Sequence, residues 1–226
     1  MQPAAEPSEP EPPSPAAILR PALVLWLLAQ LAYGAYAQGM ALVAADASAV
    51  TWLAVYEVGY LAVCGLVLWF VRRDPEARRV FAPPRPRMVE ACLVVGIVGA
   101  LVLSAWERGI PNPWGATSPV ELEFASGLPW WLSLLLTALL PALFEEWMYR
   151  GLLLTRLARV LPQWFALAVQ AMLFALMHCD QVMLLPHFVF GVLAGVLRLL
   201  AGALWPCMLM HFLWNGYIVL QVYGLV

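Results

Sequence analysis

Six polar side chains sit in the otherwise apolar carboxy-terminal hundred residues at spacings that could do chemistry. They are Glu145, Glu146 and Arg150 in the run PALFEEWMYRGLL (141–153), then His178, and then His211 with Asn215. An ionised carboxylate in hydrocarbon costs about 2.5–3.5 kcal/mol on insertion scales. A chain accepts two in succession where they are paired or react. Glu145 and Glu146 point about 100° apart on a helix, so they serve different roles. Glu146 lies four residues before Arg150, with the acid amino-terminal, which is the favourable ion-pair orientation. Glu145 has no such partner on its own helix. A desolvated carboxylate without a fixed partner suits a general base.

His211 and Asn215 are four apart and share a helix face. A general base with an imidazole can activate water, and a second imidazole with an amide can hold an oxyanion. That is equipment for amide hydrolysis without a Ser or Cys nucleophile. In this reading Glu145 takes the proton of water and His178 orients that water. His211 and Asn215 stabilise the tetrahedral oxyanion. No cofactor is then needed. In a zinc-dependent alternative, Glu145, His178 and His211 would be ligands with an open fourth position. The HExxH pattern of zinc proteases is absent. A thiol nucleophile is the weaker option: Cys207 precedes His211 by four and Cys179 follows His178, but no cation stands ready to activate either.

These side chains need elements to carry them. Hydrophobic residues form 63% of the chain and mean hydropathy is +0.81, against about 45–50% apolar in soluble domains. The expected fold is an all-α polytopic membrane bundle. Seven apolar runs approach the roughly 20 residues that span a bilayer: 17–37, 50–71, 88–106, 129–149, 163–184, 185–200 and 203–224. Residues 1–16 are rich in Pro, Glu, Ala and Ser and read as a disordered tail. Residues 17–124 read as amino-terminal membrane helices and 125–226 as the catalytic core. Ala35-Tyr36-Ala37 resembles a signal-peptidase site, but an acidic, Pro-rich stretch precedes the span, so an uncleaved anchor is expected.

All twelve cations are arginine. Six of them lie in 72–87, which marks that loop as cytoplasmic. Asp46 and the mainly acidic stretch 107–127 are then outside, and Arg150, Arg156, Arg159 and Arg198 are on the cytoplasmic side. The four cysteines read as buried hydrophobes. The net charge of −2 gives no reason to expect nucleic acid as a partner.

Pro162 marks a turn with Glu145 seventeen residues before it and His178 sixteen after it. An antiparallel hairpin brings the two to one depth. Counted from Arg150 and Arg198 as interfacial anchors, Glu145 and His211 both lie about 8 Å below the cytoplasmic surface. Gly191 and Gly195 form a GxxxG pair that reads as close helix packing. His187 has no such depth match and reads as structural. Asp180 reads as locally paired, Glu57, near the outer end of its span, as snorkelling or locally paired, and the tryptophans as packing or interfacial.

The ordered motifs Glu145-Glu146-Trp-Met-Tyr-Arg150, Phe174-Ala-Leu-Met-His178 and His211-Phe-Leu-Trp-Asn215 resemble the EExxxR, FxxxH and HxxxN motifs of the CPBP intramembrane proteases. That family includes the type II CAAX prenyl endopeptidases and the Abi bacteriocin-immunity proteins. The resemblance covers about residues 125–226. It implies a membrane-embedded peptidase that cleaves near the end of a membrane-associated or lipid-modified protein. It implies Glu145 as the water-activating glutamate, His178 as its partner, His211 and Asn215 as the oxyanion groups, and Glu146 with Arg150 as the rest of the first motif. The family has been described as both glutamate-type and metal-dependent, and the metal-free form is favoured here. Arginine usage suits a bacterial inner membrane, where sortase-like processing of carboxy-terminal sorting tails is another use of such a site. The competing readings are a non-enzymatic immunity or scaffold protein and a small proton-coupled transporter.

Overall fold

The computed structural model describes residues 13–43, 49–73, 86–109, 118–178 and 182–226. Most of the acidic tail, Asp46, Arg78, Arg79, Arg85, Cys179 and Asp180 lie outside the described residues, so the readings made on them are not addressed. Among the described residues there is no strand. The helices are α1 (Pro15–Val43), α2 (Ala49–Arg73), α3 (Pro86–Gly109), α4 (Pro119–Ala125), α5 (Trp130–Leu157), α6 (Gln163–Met177), α7 (Leu184–Ala201) and α8 (Trp205–Val222). The all-α expectation holds. Seven of the helices correspond to the seven apolar runs.

Among the described residues, two helices are both long and apolar enough to cross a membrane, Trp130–Leu157 and Leu184–Ala201, so seven spanning helices are not confirmed. α6 has 15 residues, short of the roughly 20 that cross a bilayer. It ends at Met177, not at residue 184. His178 is therefore its carboxy-terminal cap rather than a mid-span residue. The apolar run continued past the helix end because hydropathy does not register a turn.

Helix boundaries follow local chemistry. α4 opens on a capping box: Ser118 and Glu121 exchange bonds, Glu121 N–H to Ser118 Oγ (3.4 Å) and Ser118 N–H to Glu121 Oε2 (2.7 Å). α7 ends at Gly202, whose φ of 68° no bulkier residue adopts readily, and the Gly202 N–H closes onto Arg198 O. α5 is irregular. Segments Leu134–Leu139 and Trp147–Leu153 are π-helical and flank an α-helical turn, Leu140–Glu146, that carries both glutamates. Such widened turns are rare and cluster at functional sites. Pro141 lies between them. It has no N–H, so the carbonyl four residues earlier, Thr137 O, loses its helical donor.

Close helix approaches set the packing. A Cβ on Gly99 of α3 would stand 2.1 Å from the Trp214 ring of α8. A Cβ on Gly191 of α7 would stand 2.8 Å from Ala171 Cα of α6, and one on Gly195 2.3 Å from Leu167. The GxxxG pair is thus the packing face expected of it. α1 is tied to α5 by Arg156 Nη1 donating to Ile18 O at 2.7 Å. The core gathers Tyr149, Phe174, Phe190, Met210 and Trp214. Val58, Val94, Val102 and Trp164 face outward, an apolar exterior suited to lipid.

Candidate active site

The centre of the bundle holds a run of charges joined by short bonds. Arg150 Nη1 donates to Glu146 Oε1 at 2.8 Å, and both side chains are 0% exposed. This is the ion pair expected from the four-residue spacing. Arg150 Nη2 donates to Gly191 O at 3.2 Å, and Gln170 Nε2 donates to the same oxygen at 2.8 Å. The guanidinium also lies 4.5 Å from the centre of the Phe174 ring, a cation–π contact in a desolvated place.

His211 joins from α8. Its Nδ1 is 2.8 Å from Glu146 Oε1. A carboxylate only accepts, so Nδ1 carries a hydrogen and donates it. The ring is further walled by Phe190, with centroids 4.8 Å apart. Its other nitrogen, Nε2, faces Glu145 Oε2 at 4.0 Å. Glu145 Oε2 is buried with no hydrogen-bond partner from the protein. Glu145 Oε1 receives the Tyr60 hydroxyl of α2 at 3.4 Å. Glu145 therefore has no partner on its own helix, as expected, and its contacts come from two others.

His178 is close enough to feel the charges of Glu145, His211 and Arg150. Its Nδ1 is 2.9 Å from Phe174 O, one turn back on its own helix. Its ring stacks on His187, with centroids 3.7 Å apart and planes inclined by 17°. This overturns the reading that His187 has no depth match. Because α6 stops at Met177, the two histidines stand at either end of one short link. A sequence reading that closed α6 there would have seen them as neighbours.

Asn215 meets α5 at another level. Its Nδ2 donates to Thr137 O at 3.0 Å, the carbonyl that Pro141 leaves without a helical donor. The amide is thereby fixed one turn beyond His211. Thr137 Oγ1 in turn donates to Glu123 Oε1 at 2.6 Å, and the Glu123 and Glu57 carboxyls hydrogen-bond to each other. Glu57 is thus paired across helices, not locally. Glu123, fully buried, was not anticipated. The Ser133 hydroxyl bonds the Tyr223 hydroxyl at 2.8 Å beside it.

The depth estimate fails. Tyr60 stands near the middle of α2, about 18 Å from Arg72 at ~1.5 Å per residue, and Glu145 is level with it. The estimate of about 8 Å used Arg150 as an interfacial anchor. Arg150 is instead wholly buried, neutralised by Glu146 and capped by Gly191 O. Among the described residues, no three His, Cys, Asp or Glu side chains are grouped so that they could hold a metal ion. Cys207 donates its thiol to Ala194 O at 3.1 Å and is buried, away from a nucleophile's role.

Residues 127–217 match the family described as type II CAAX prenyl endopeptidase Rce1-like. The match covers less than half of the chain, and over it the sequence is similar to that family. The match begins just after α4 and takes in Glu145, Glu146, Arg150, His178, His187, His211 and Asn215. The similarity supports a membrane peptidase that acts on a membrane-associated protein. Tyr60, Glu57 and Glu123 lie outside the CAAX-protease match. No curated protein and no solved structure matches the chain.

Proposed function

We propose that the chain is an intramembrane endopeptidase in which Glu145 activates the attacking water. One observation carries this reading. Glu145 Oε2 is buried, is unbonded within the protein, and faces His211 Nε2 at 4.0 Å. A single water making bonds of about 2.8 Å to each atom bridges that distance.

The steps follow from the geometry. Water gives a proton to Glu145 Oε2, and its oxygen forms a bond to the scissile carbonyl carbon. The carbonyl electron pair moves onto oxygen. That oxyanion is met by His211 Nε2–H, and the Asn215 amide, with one N–H given to Thr137 O, has its second N–H left to offer from the next turn. His211 can hold its Nε2 toward the substrate because Nδ1 is clamped by Glu146. With a proton on each ring nitrogen, His211 also balances the buried set. Two carboxylates then face one guanidinium and one imidazolium. A buried charge set is tolerable only when so paired. The C–N bond then breaks, and the proton on Glu145 passes to the leaving amine. His178, held by Phe174 O and stacked on His187, orients the water from the far side.

The reaction as proposed uses no cofactor. In the zinc-dependent alternative, Glu145, His178 and His211 would supply the donors, but the three are not grouped closely enough for that here. The substrate proposed is the carboxy-terminal region of a membrane-associated protein, lipid-modified or carrying a hydrophobic sorting tail. A bacterial inner membrane location, with access from the arginine-rich side at 72–87, belongs to the same proposal.

The test is cleavage in lipid nanodiscs of two probes, a farnesylated CAAX peptide and a peptide with an apolar carboxy-terminal tail. Glu145→Gln should lower the rate by about 10³-fold, within the range for loss of a general base, with thermal unfolding unchanged. Equal cleavage by Glu145→Gln and the unsubstituted protein would remove Glu145 from the chemistry. A variant that keeps its role in cells without cleaving would favour the scaffold reading.

A further inference from the structure

Glu145 has two oxygens, and the structure treats them differently. Oε1 receives a hydroxyl at 3.4 Å from Tyr60, a residue of α2. Oε2 is buried and unbonded, and it is the oxygen that faces His211. The phenol is the donor in the Tyr60 contact, because a carboxylate oxygen only accepts.

We propose that Tyr60 is a positioning residue that reserves Glu145 Oε1 and leaves Oε2 as the proton-accepting atom. The proposal rests on Glu145 being the base. A carboxyl group free to rotate would present either oxygen to His211, and part of the time neither. A donor on one oxygen removes that freedom. The contact is long for a hydroxyl–carboxylate bond, which usually spans about 2.5–3.0 Å. Active-site bonds commonly shorten when substrate is bound. The amino-terminal helices, which lie outside the CAAX-protease match, thereby contribute to the reacting centre and do more than anchor it.

The experiment has two arms on the full chain in nanodiscs. The first reads the carboxylate itself. Infrared spectra of protein labelled with ¹³C-carboxyl glutamate assign the Glu145 band by its loss in Glu145→Gln, and Tyr60→Phe should shift that band. The second reads turnover of the farnesylated CAAX peptide. Tyr60→Phe should lower kcat about tenfold with KM unchanged, the size expected for one hydrogen bond to a charged group. Phenylalanine keeps the ring at this half-buried position, so folding is not at stake. An unshifted Glu145 band overturns the proposal, whatever the rates. So does a change confined to KM. If the unsubstituted protein leaves the peptide uncut, the proposed function is in question, while the infrared band still decides the role of Tyr60.

Discussion

Two pairs of glutamates lie inside this bundle, three of the four side chains buried and Glu57 half-buried, and each pair is held differently. Glu145 and Glu146 are adjacent in the chain and point to different neighbours. Glu146 is tied to Arg150 and His211 through a single oxygen, and Glu145 lies beside the same imidazole. Glu57 and Glu123 come from separate helices and face each other. Two carboxylates cannot bond without a hydrogen, so one proton is shared between them. The first pair meets the Arg150 guanidinium and the His211 imidazole, and leaves one oxygen of each carboxyl without a partner. In the second pair a proton and the Thr137 hydroxyl take the place of a cation, and the result ties α2, α4 and α5 together. The comparison teaches that burial alone does not mark a reactive acid. All four carboxyls have an oxygen without a partner, and what distinguishes Glu145 is that this oxygen faces the free nitrogen of the His211 ring.

Three substitutions break or sharpen that contrast. The largest effect belongs to Arg150→Met, which strips the cation from the inner pair. It leaves Glu146 buried and uncompensated, and the fold should lose about 3–5 kcal/mol. Denaturant unfolding in detergent measures this, and an unchanged midpoint would mean that charge balance is not what holds the centre. Thr137→Val is next. It deletes the hydroxyl that bonds Glu123 but keeps the carbonyl that holds Asn215. It should cost about 1–3 kcal/mol for the orphaned carboxyl oxygen and leave cleavage within threefold. A collapse of cleavage at full stability would tie the outer pair to the chemistry.

Glu123→Gln has the smallest effect, a change of slope. Burial pushes the Glu123 carboxyl up from its ordinary value of 4.5. A raised value means the folded protein holds a proton that the unfolded chain has already released. Stability is then greatest below about 4.5 and declines as pH rises toward the raised value. Glutamine cannot titrate, so the variant's unfolding midpoint should flatten across that window. A slope identical to that of the unsubstituted protein would place the proton elsewhere.

Much of this was legible from residue spacing. The seven long helices follow the apolar runs, and the four-residue step from Glu146 to Arg150 identifies an ion pair from geometry alone. Placing Glu145 near His178 needed only a turn at Pro162. The failures have physical causes. A buried arginine and an interfacial one look alike in sequence, because nothing local reports the partner that neutralises the first; the depth scale anchored on Arg150 failed for that reason. The π-helical segments on either side of the glutamates leave no mark in the spacing of the apolar residues. Tyr60 and Glu123 reach the site from helices remote in sequence, and no periodicity connects them to it. The stacking of His187 on His178 depends on where α6 stops, and an apolar run does not show that.

Gly191 illustrates how tightly shape and reactivity are linked here. Its carbonyl oxygen takes a hydrogen from Arg150 and another from Gln170, so three helices meet at one neutral backbone atom. Its missing side chain is what lets α7 lie against Ala171. A single added methyl would therefore do two things at once. It would wedge α7 away from α6 and carry off the oxygen that steadies Arg150, loosening Glu146 and then the imidazole that leans on it. A lesion in plain van der Waals contact would register at the bench as an enzymatic defect.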